Sequence, residues 1–229
     1  MRHIATLLFL ITTFAVYGLL SELRWLNVPF YKFLLTAFLA FFVILVHELG
    51  HALAARSYGR PILRFAVMPF ELRFTPLRLR LAGNDAGSGD VGGYVQYSGK
   101  RPETRREHAV IAFAGPAANF LLAAAALLLA AWLSTRPDTS GLPTLVPIEP
   151  TPPAQPIPGT HFAILPPDDK VVQALRTPGY FPGSRPVGAI FAEAFAALSI
   201  GTGLANLIPF KGSDGDAILT ALFRGRSRT

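Results

Sequence analysis

The segment LVHELGHALAA, residues 45–55, places two imidazoles and a carboxylate at a spacing suited to metal chemistry. His47 and His51 are four residues apart, so a helix stacks them on one face. Two imidazoles placed this way can share one Zn²⁺ at about 2.0–2.1 Å each. Glu48 is one residue on, about 100° round the helix. It is badly placed as a ligand and well placed to take a proton from a water held on the metal. The bland reading is a chance pattern, with both histidines hydrogen-bonded inside a bundle. The run before it, FYKFLLTAFLAFFVI at 30–44, is apolar enough for lipid and argues against that reading. A charged residue at the centre of a bilayer costs about 2.5–3.5 kcal/mol. A bound metal offsets that cost, whereas a plain core has no need of these groups.

A catalytic zinc takes three protein ligands and keeps one open position. A metzincin extension would need glycine at 54 and histidine at 57, and the chain has Ala54 and Ser57. Glu71, twenty residues after His51, is a rival, but that use requires a second helix. Pro61, Pro69 and an alternating pattern break any helix there. Asp214, in NLIPFKGSDGD at 206–216, follows the last apolar run. Topology brings it to the depth of the two histidines, with Asp216 as a fallback and a plain Asp-Gly turn as the bland alternative.

The elements that must position these groups follow from composition. Of 229 residues, 51% are hydrophobic and 15% charged, against about 25% charged in soluble domains. Four runs approach the roughly 20 apolar residues a transmembrane helix needs: 4–20, 30–55, 108–133 and 187–209. Ser21 to Arg24 offers no small-x-small cleavage site, so the first is expected to be an uncleaved anchor. Residues 56–106 hold ten Lys and Arg, whereas 134–186 hold only Arg136, Lys170, Arg176 and Arg185. The positive-inside bias puts 56–106 and the tail with Arg224, Arg226 and Arg228 in the cytoplasm, with both termini inside. The net charge of +7 is then explained by topology, so a nucleic-acid role loses its motivation. Attraction to anionic lipid headgroups is the residual reading. Cysteine is absent, which excludes disulfides and thiol chemistry.

Within 56–106, FELRFTPLRLRL at 70–81 alternates as a strand does, with Pro76 implying a hairpin or an edge. GNDAGSGD is turn chemistry and VGGYVQY, 91–97, is another extended piece. The 134–186 loop holds 13 of the 20 prolines and reads as extended or polyproline II, with one short helix from Asp168 to Arg176. The expected fold class is an all-α polytopic membrane protein of about four transmembrane helices, plus a small cytoplasmic β-hairpin or strand region. The expected organisation is an anchor and short outer loop at 1–29, a membrane core at 30–216 and a basic cytoplasmic tail at 217–229.

HELGH in one span, GPAAN (115–119) in the next, and Asn206, Pro209, Asp214 and Gly215 at the end of the last together resemble the site-2 protease family of intramembrane zinc metalloproteases. GGYV, 92–95, is similar to that family's glycine-rich segment, and the resemblance spans residues 30–216. It implies a three-helix catalytic core and one Zn²⁺ per chain on His47, His51 and Asp214. It also implies hydrolysis of peptide bonds in or near transmembrane segments of membrane-protein substrates, in a bacterial inner membrane. The family often has DGG where this chain has Asp214-Gly215-Asp216, and no PDZ domain fits.

Other residues then acquire roles. Glu48 is the expected general base. Pro116 frees the Ala112 carbonyl inside its helix, and Asn119 lies one turn deeper, either orienting the site or bonding between helices. Asn206 either donates to the oxyanion, worth about 10²–10³ in rate, or caps a helix. The 70–81 hairpin or VGGYVQY could hold an unwound substrate by strand pairing. Glu193 is expected at the interface, too far along its helix to share the metal. His3, His108 and His161 read as interfacial or loop histidines. Two other classes fit some of these features. One is a zinc-stabilised scaffold that binds a client, which would need no Glu48. The other is a zinc transporter, which would spread ligands along a path.

Overall fold

A computed structural model describes residues 2–23, 28–81, 92–99, 101–135, 155–156, 163–164 and 186–223. Its elements run α1 (Arg2–Ser21), α2 (Pro29–Ser57), β1 (Ile62–Val67), β2 (Phe70–Phe74), β3 (Leu77–Leu81), β4 (Gly93–Tyr97), α3 (Arg105–Ser134), β5 (Gln155–Pro156), β6 (Ala163–Ile164), α4 (Val187–Leu207) and α5 (Asp214–Phe223). Four helices are long and apolar enough to cross a membrane: His3–Ser21, Pro29–Ser57, Arg105–Ser134 and Val187–Leu207.

Helix ends follow local chemistry. Pro29 opens α2, where its missing N–H costs nothing. Gly59, at φ +72°, closes α2 in a Schellman motif. Its N–H donates to the Arg56 carbonyl at 2.9 Å, and that of Arg60 to Ala55 at 3.1 Å. Thr104 and Glu107 form a capping box at the start of α3. The fourth span ends at Leu207 rather than 209, because Ile208 precedes Pro209 and turns extended, at ψ 122°.

The fourth span is the weakest by hydropathy because it is the central one. Half of its apolar window is buried within the protein, against 17% for α1. Val16, Leu20, Leu39, Val43, Ile190, Ala194 and Leu198 pack α1, α2 and α4 together. On its other flank α4 meets α3 through alanines: Ala123, Ala126 and Ala196, then Ala130, Ala189 and Ala192. Small side chains let two backbones approach where lipid provides no hydrophobic drive.

Between α2 and α3 lies a four-stranded antiparallel sheet, ordered β3-β2-β1-β4. The 70–81 pattern is a hairpin, turning at Thr75-Pro76, and VGGYVQY supplies β4. The small strand region expected between the second and third spans is thus a four-stranded sheet. In the proline-rich loop, β5 and β6 pair antiparallel. The rest of it, including the expected helix at Asp168–Arg176 and His161, lies outside the described residues. Residues 214–223, most of which were expected to be tail, form α5.

Candidate metal centre

His47 and His51 lie on α2, and their rings meet edge to face with Nε2 atoms 3.1 Å apart. Asp214, in the first turn of α5, brings Oδ2 to 3.0 Å from His47 Nε2 and Oδ1 to 3.3 Å from His51 Nε2. Ligands bound tetrahedrally at 2.0–2.1 Å sit about 3.3 Å apart. The two imidazole nitrogens, and each of them with its nearer carboxylate oxygen, approach to that separation, and one atom from each residue lies within 4.8 Å of the other two. Among the described residues this is the group of histidines and carboxylates that can hold one ion.

The hydrogen bonds behind the ligands give the same answer. His51 Nδ1 lies 2.7 Å from the Ile111 carbonyl, which can only accept, so Nδ1 carries the proton and Nε2 of the neutral ring is bare. His47 Nδ1 meets the side-chain amide of Asn119 at 3.1 Å. Asn119 is fully buried, and with its amide nitrogen towards His47 its Oδ1 has no hydrogen-bond partner among the described residues. Turning the amide over lets Oδ1 accept from His47 Nδ1–H and removes that orphan. Asp214 Oδ2 is likewise buried without a hydrogen-bond donor. Bare lone pairs on two imidazoles and a carboxylate thus face one point. That repels unless a cation sits there, so the residues fit a zinc ion, and the bonds behind them orient the rings as metal-ligating histidines require.

Three close backbone approaches join α2 to α3 and α5 to α4. A Cβ at Gly50 would strike the Ala114 carbonyl of α3. One at Gly115 would strike His51 Nε2 and lie 2.8 Å from His47 Nε2. One at Gly215 would strike the Leu207 carbonyl. At the C-terminal end of α2, buried Arg60 pairs with buried Glu107 at 3.0 Å, and Arg101 joins the same carboxylate. This pairing ties the end of α2 to the start of α3 and sets His51 level with Ile111. Ser213 caps α5: its hydroxyl accepts from the Asp216 N–H at 3.2 Å and holds the turn that delivers Asp214.

Of the residues singled out in the sequence, His47, His51 and Asp214 come together, with Asn119 behind them. Asn206 reaches the same point, its Nδ2 3.4 Å from His47 Nε2. Glu48 is buried beside the cluster under β4, where a Cβ at Gly93 would come within 2.9 Å of its Oε1. Glu71 is elsewhere. It sits in β2, bonded to Arg73, and that bond, aided by one from Tyr94, holds its carboxyl below the usual carboxylate range. Asp216 and Glu193 are outside the cluster, and His108 pairs with Glu103 at 3.2 Å. Pro116 lies inside α3, as read from the sequence, and the carbonyl that His51 bonds is that of Ile111, one residue before the Ala112 carbonyl that the proline frees. Gly93, Gly115 and Ser213 had no assigned place at the site. Their glycine-rich and Ser-Asp contexts were the visible signals, but only the fold shows which neighbours they face.

The family model for peptidase family M50 matches residues 35–182, which include HELGH, GGYV and GPAAN. Asp214 and Asn206 lie beyond that stretch and rest on the geometry. No curated protein and no solved structure matches the chain. The matched stretch is well over half of the chain, which therefore belongs to peptidase family M50, a zinc metalloprotease family that includes the site-2 proteases.

Proposed function

We propose that this chain is a compact intramembrane metalloprotease of the site-2 type, cutting peptide bonds in or near transmembrane segments of other membrane proteins. The observation that carries the reading is a buried carboxylate, Glu48, next to the converging His47, His51 and Asp214, on a helix apolar enough to span a membrane. A scaffold needs the three ligands but not the base. Zinc bound by those three residues acidifies a water and polarises the scissile carbonyl.

The chain's own groups do the rest. Glu48 takes the proton from the attacking water and returns it to the leaving nitrogen. Asn206 points an N–H at the place where the oxyanion develops. Asn119 holds the His47 ring. Strand β4 lies over Glu48, and its edge away from β1 pairs with no other described strand. An unwound substrate added along that edge would present an extended backbone to the base. The basic 56–106 segment supports a site near the cytoplasmic face with both termini inside, and a bacterial inner membrane is the proposed location.

The test is cleavage of a co-expressed single-span membrane protein, with zinc measured on the same preparations. Glu48→Gln should lose about 10²–10⁴ in rate, and Asn206→Ala about 10²–10³, both retaining one zinc. Val95→Pro in β4 should lose cleavage while keeping zinc. Equal cleavage by wild type and Glu48→Gln would overturn the enzyme reading, and unchanged cleavage by Val95→Pro would remove strand addition from it.

A further inference from the structure

The β2–β3 hairpin has two chemically opposite faces. On one, cross-strand partners Phe70 and Leu81, Leu72 and Leu79, and Phe74 and Leu77 form an apolar row. Leu77, Leu79 and Leu81 are 70%, 69% and 74% exposed, values that a water-facing strand avoids. On the other face Arg64, Arg73 and Arg78 stand directly opposite one another across three strands, with Arg80 opposite Glu71. Like charges opposed across strands destabilise a sheet. Among the described residues of these strands, Glu71, bonded to Arg73, is the one carboxylate set against these four arginines. Arg78 and Arg80 are exposed and form no ion pair among the described residues.

The apolar face runs on into the lipid-facing side of α2. Phe70 packs on Phe41 at 6.2 Å between ring centres, Phe41 on Phe42 at 5.6 Å, and Phe42 on Phe38 at 4.9 Å. Phe38, within the span, is 58% exposed. One apolar surface thus passes from a membrane-crossing helix onto the hairpin, with an arginine row on its reverse.

We propose that this hairpin is an amphipathic lipid-binding leaf, its leucine face against acyl chains and its arginine face on the phosphates of anionic phospholipid headgroups. Guanidinium groups bind phosphate oxygens in a bidentate manner. A bound headgroup also supplies counter-charge to Arg78 and Arg80, which form no ion pair among the described residues. The proposal does not depend on proteolysis, since it concerns the edge of the sheet far from β4.

The chain contains no cysteine, so one thiol can be labelled cleanly. Leu79→Cys, and Gln96→Cys as a control on the arginine face, would carry an environment-sensitive fluorophore in the full chain reconstituted into phosphatidylcholine vesicles with about 30% phosphatidylglycerol. Acyl-brominated lipid should quench the label at 79 at least about twofold more than at 96. With bromine on phosphatidylglycerol alone, quenching at 79 should exceed that from the same amount of brominated phosphatidylcholine. Arg78→Gln with Arg80→Gln should erase this preference and leave acyl quenching and zinc content intact. Four results would overturn the proposal: no quenching at 79 in lipid alone, quenching only after a single-span peptide is added, no lipid preference in the wild-type arginine background, or loss of the preference to millimolar inorganic phosphate, which would mark a free-anion site.

Discussion

The two flanks of α4 are built from different materials. Towards α1 and the lower part of α2 the contact is aliphatic: Val16, Leu20, Val43, Ile190 and Leu198 fill space with bulk. Towards α3 it is made of alanine and glycine. There a Cβ at Gly203 would come within 3.1 Å of Phe120, and Asn119 beneath it is fully buried. Bulk tolerates exchange, because one aliphatic group can stand for another of similar volume. A seam of small residues does not, because its purpose is backbone approach. The polar groups of the site are held on the tight side, where an added methyl group has nowhere to go.

The largest effect is expected where α3 turns its small residues to the ligands on α2. Gly115→Val should reduce bound zinc from one per chain to near zero while the helical circular dichroism stays, since the new side chain overlaps both imidazoles. A variant that keeps its zinc would show that α3 does not bound the site. The next contrast sets the two flanks against each other. Asn119→Leu should weaken zinc about 10–100-fold by freeing the His47 ring. Val43→Ala, fully buried on the aliphatic side, should lower stability by about 1–3 kcal/mol and leave zinc affinity unchanged. Equal zinc loss in both would erase the distinction.

The smallest effect belongs to the sheet. The bond from Arg73 lowers the Glu71 pKa, so its contribution is complete above the unfolded value and is lost as pH falls through the folded one. Burial, with Glu103 beside it, pushes Tyr97 up to about 12, so its contribution is complete below its ordinary value of 10.0 and fades as pH climbs beyond that. The melting temperature should therefore be flat between about pH 5 and pH 9 and fall on either side, with Glu71→Gln flattening the acid limb. An unchanged acid limb in that variant would remove Glu71 from the account.

How much of this was legible in the chain divides along the same line. The HELGH spacing is a local property of one helix, so His47, Glu48 and His51 could be read directly. Asp214 could be reached by counting spans, since the ends of α2 and α4 that adjoin the site share one side. The strands at 70–81 were legible from alternation, and Pro76 left a hairpin or an edge strand as the alternatives. What alternation does not carry is register. The opposition of Arg64, Arg73 and Arg78 depends on which residues pair. The choice of Ile111 over Ala112 depends on how α2 and α3 cross, and the seat of Gly93 over Glu48 depends on how the sheet folds back on α2. Such contacts join residues far apart in the chain, and no periodicity encodes them. The end of α4 at Leu207 was within reach, because Pro209 restrains the residue before it.

The central claim is that three side chains from two helices hold one metal ion. X-ray absorption at the zinc edge, with metal analysis of the purified chain and of Asp214→Ala, tests it most directly. One zinc per chain, with nitrogen and oxygen donors at about 2.0–2.1 Å and loss of most of the metal in Asp214→Ala, is the predicted result. A wild-type chain that binds no zinc when zinc is supplied, or an Asp214→Ala chain with an unchanged spectrum and full occupancy, would contradict it.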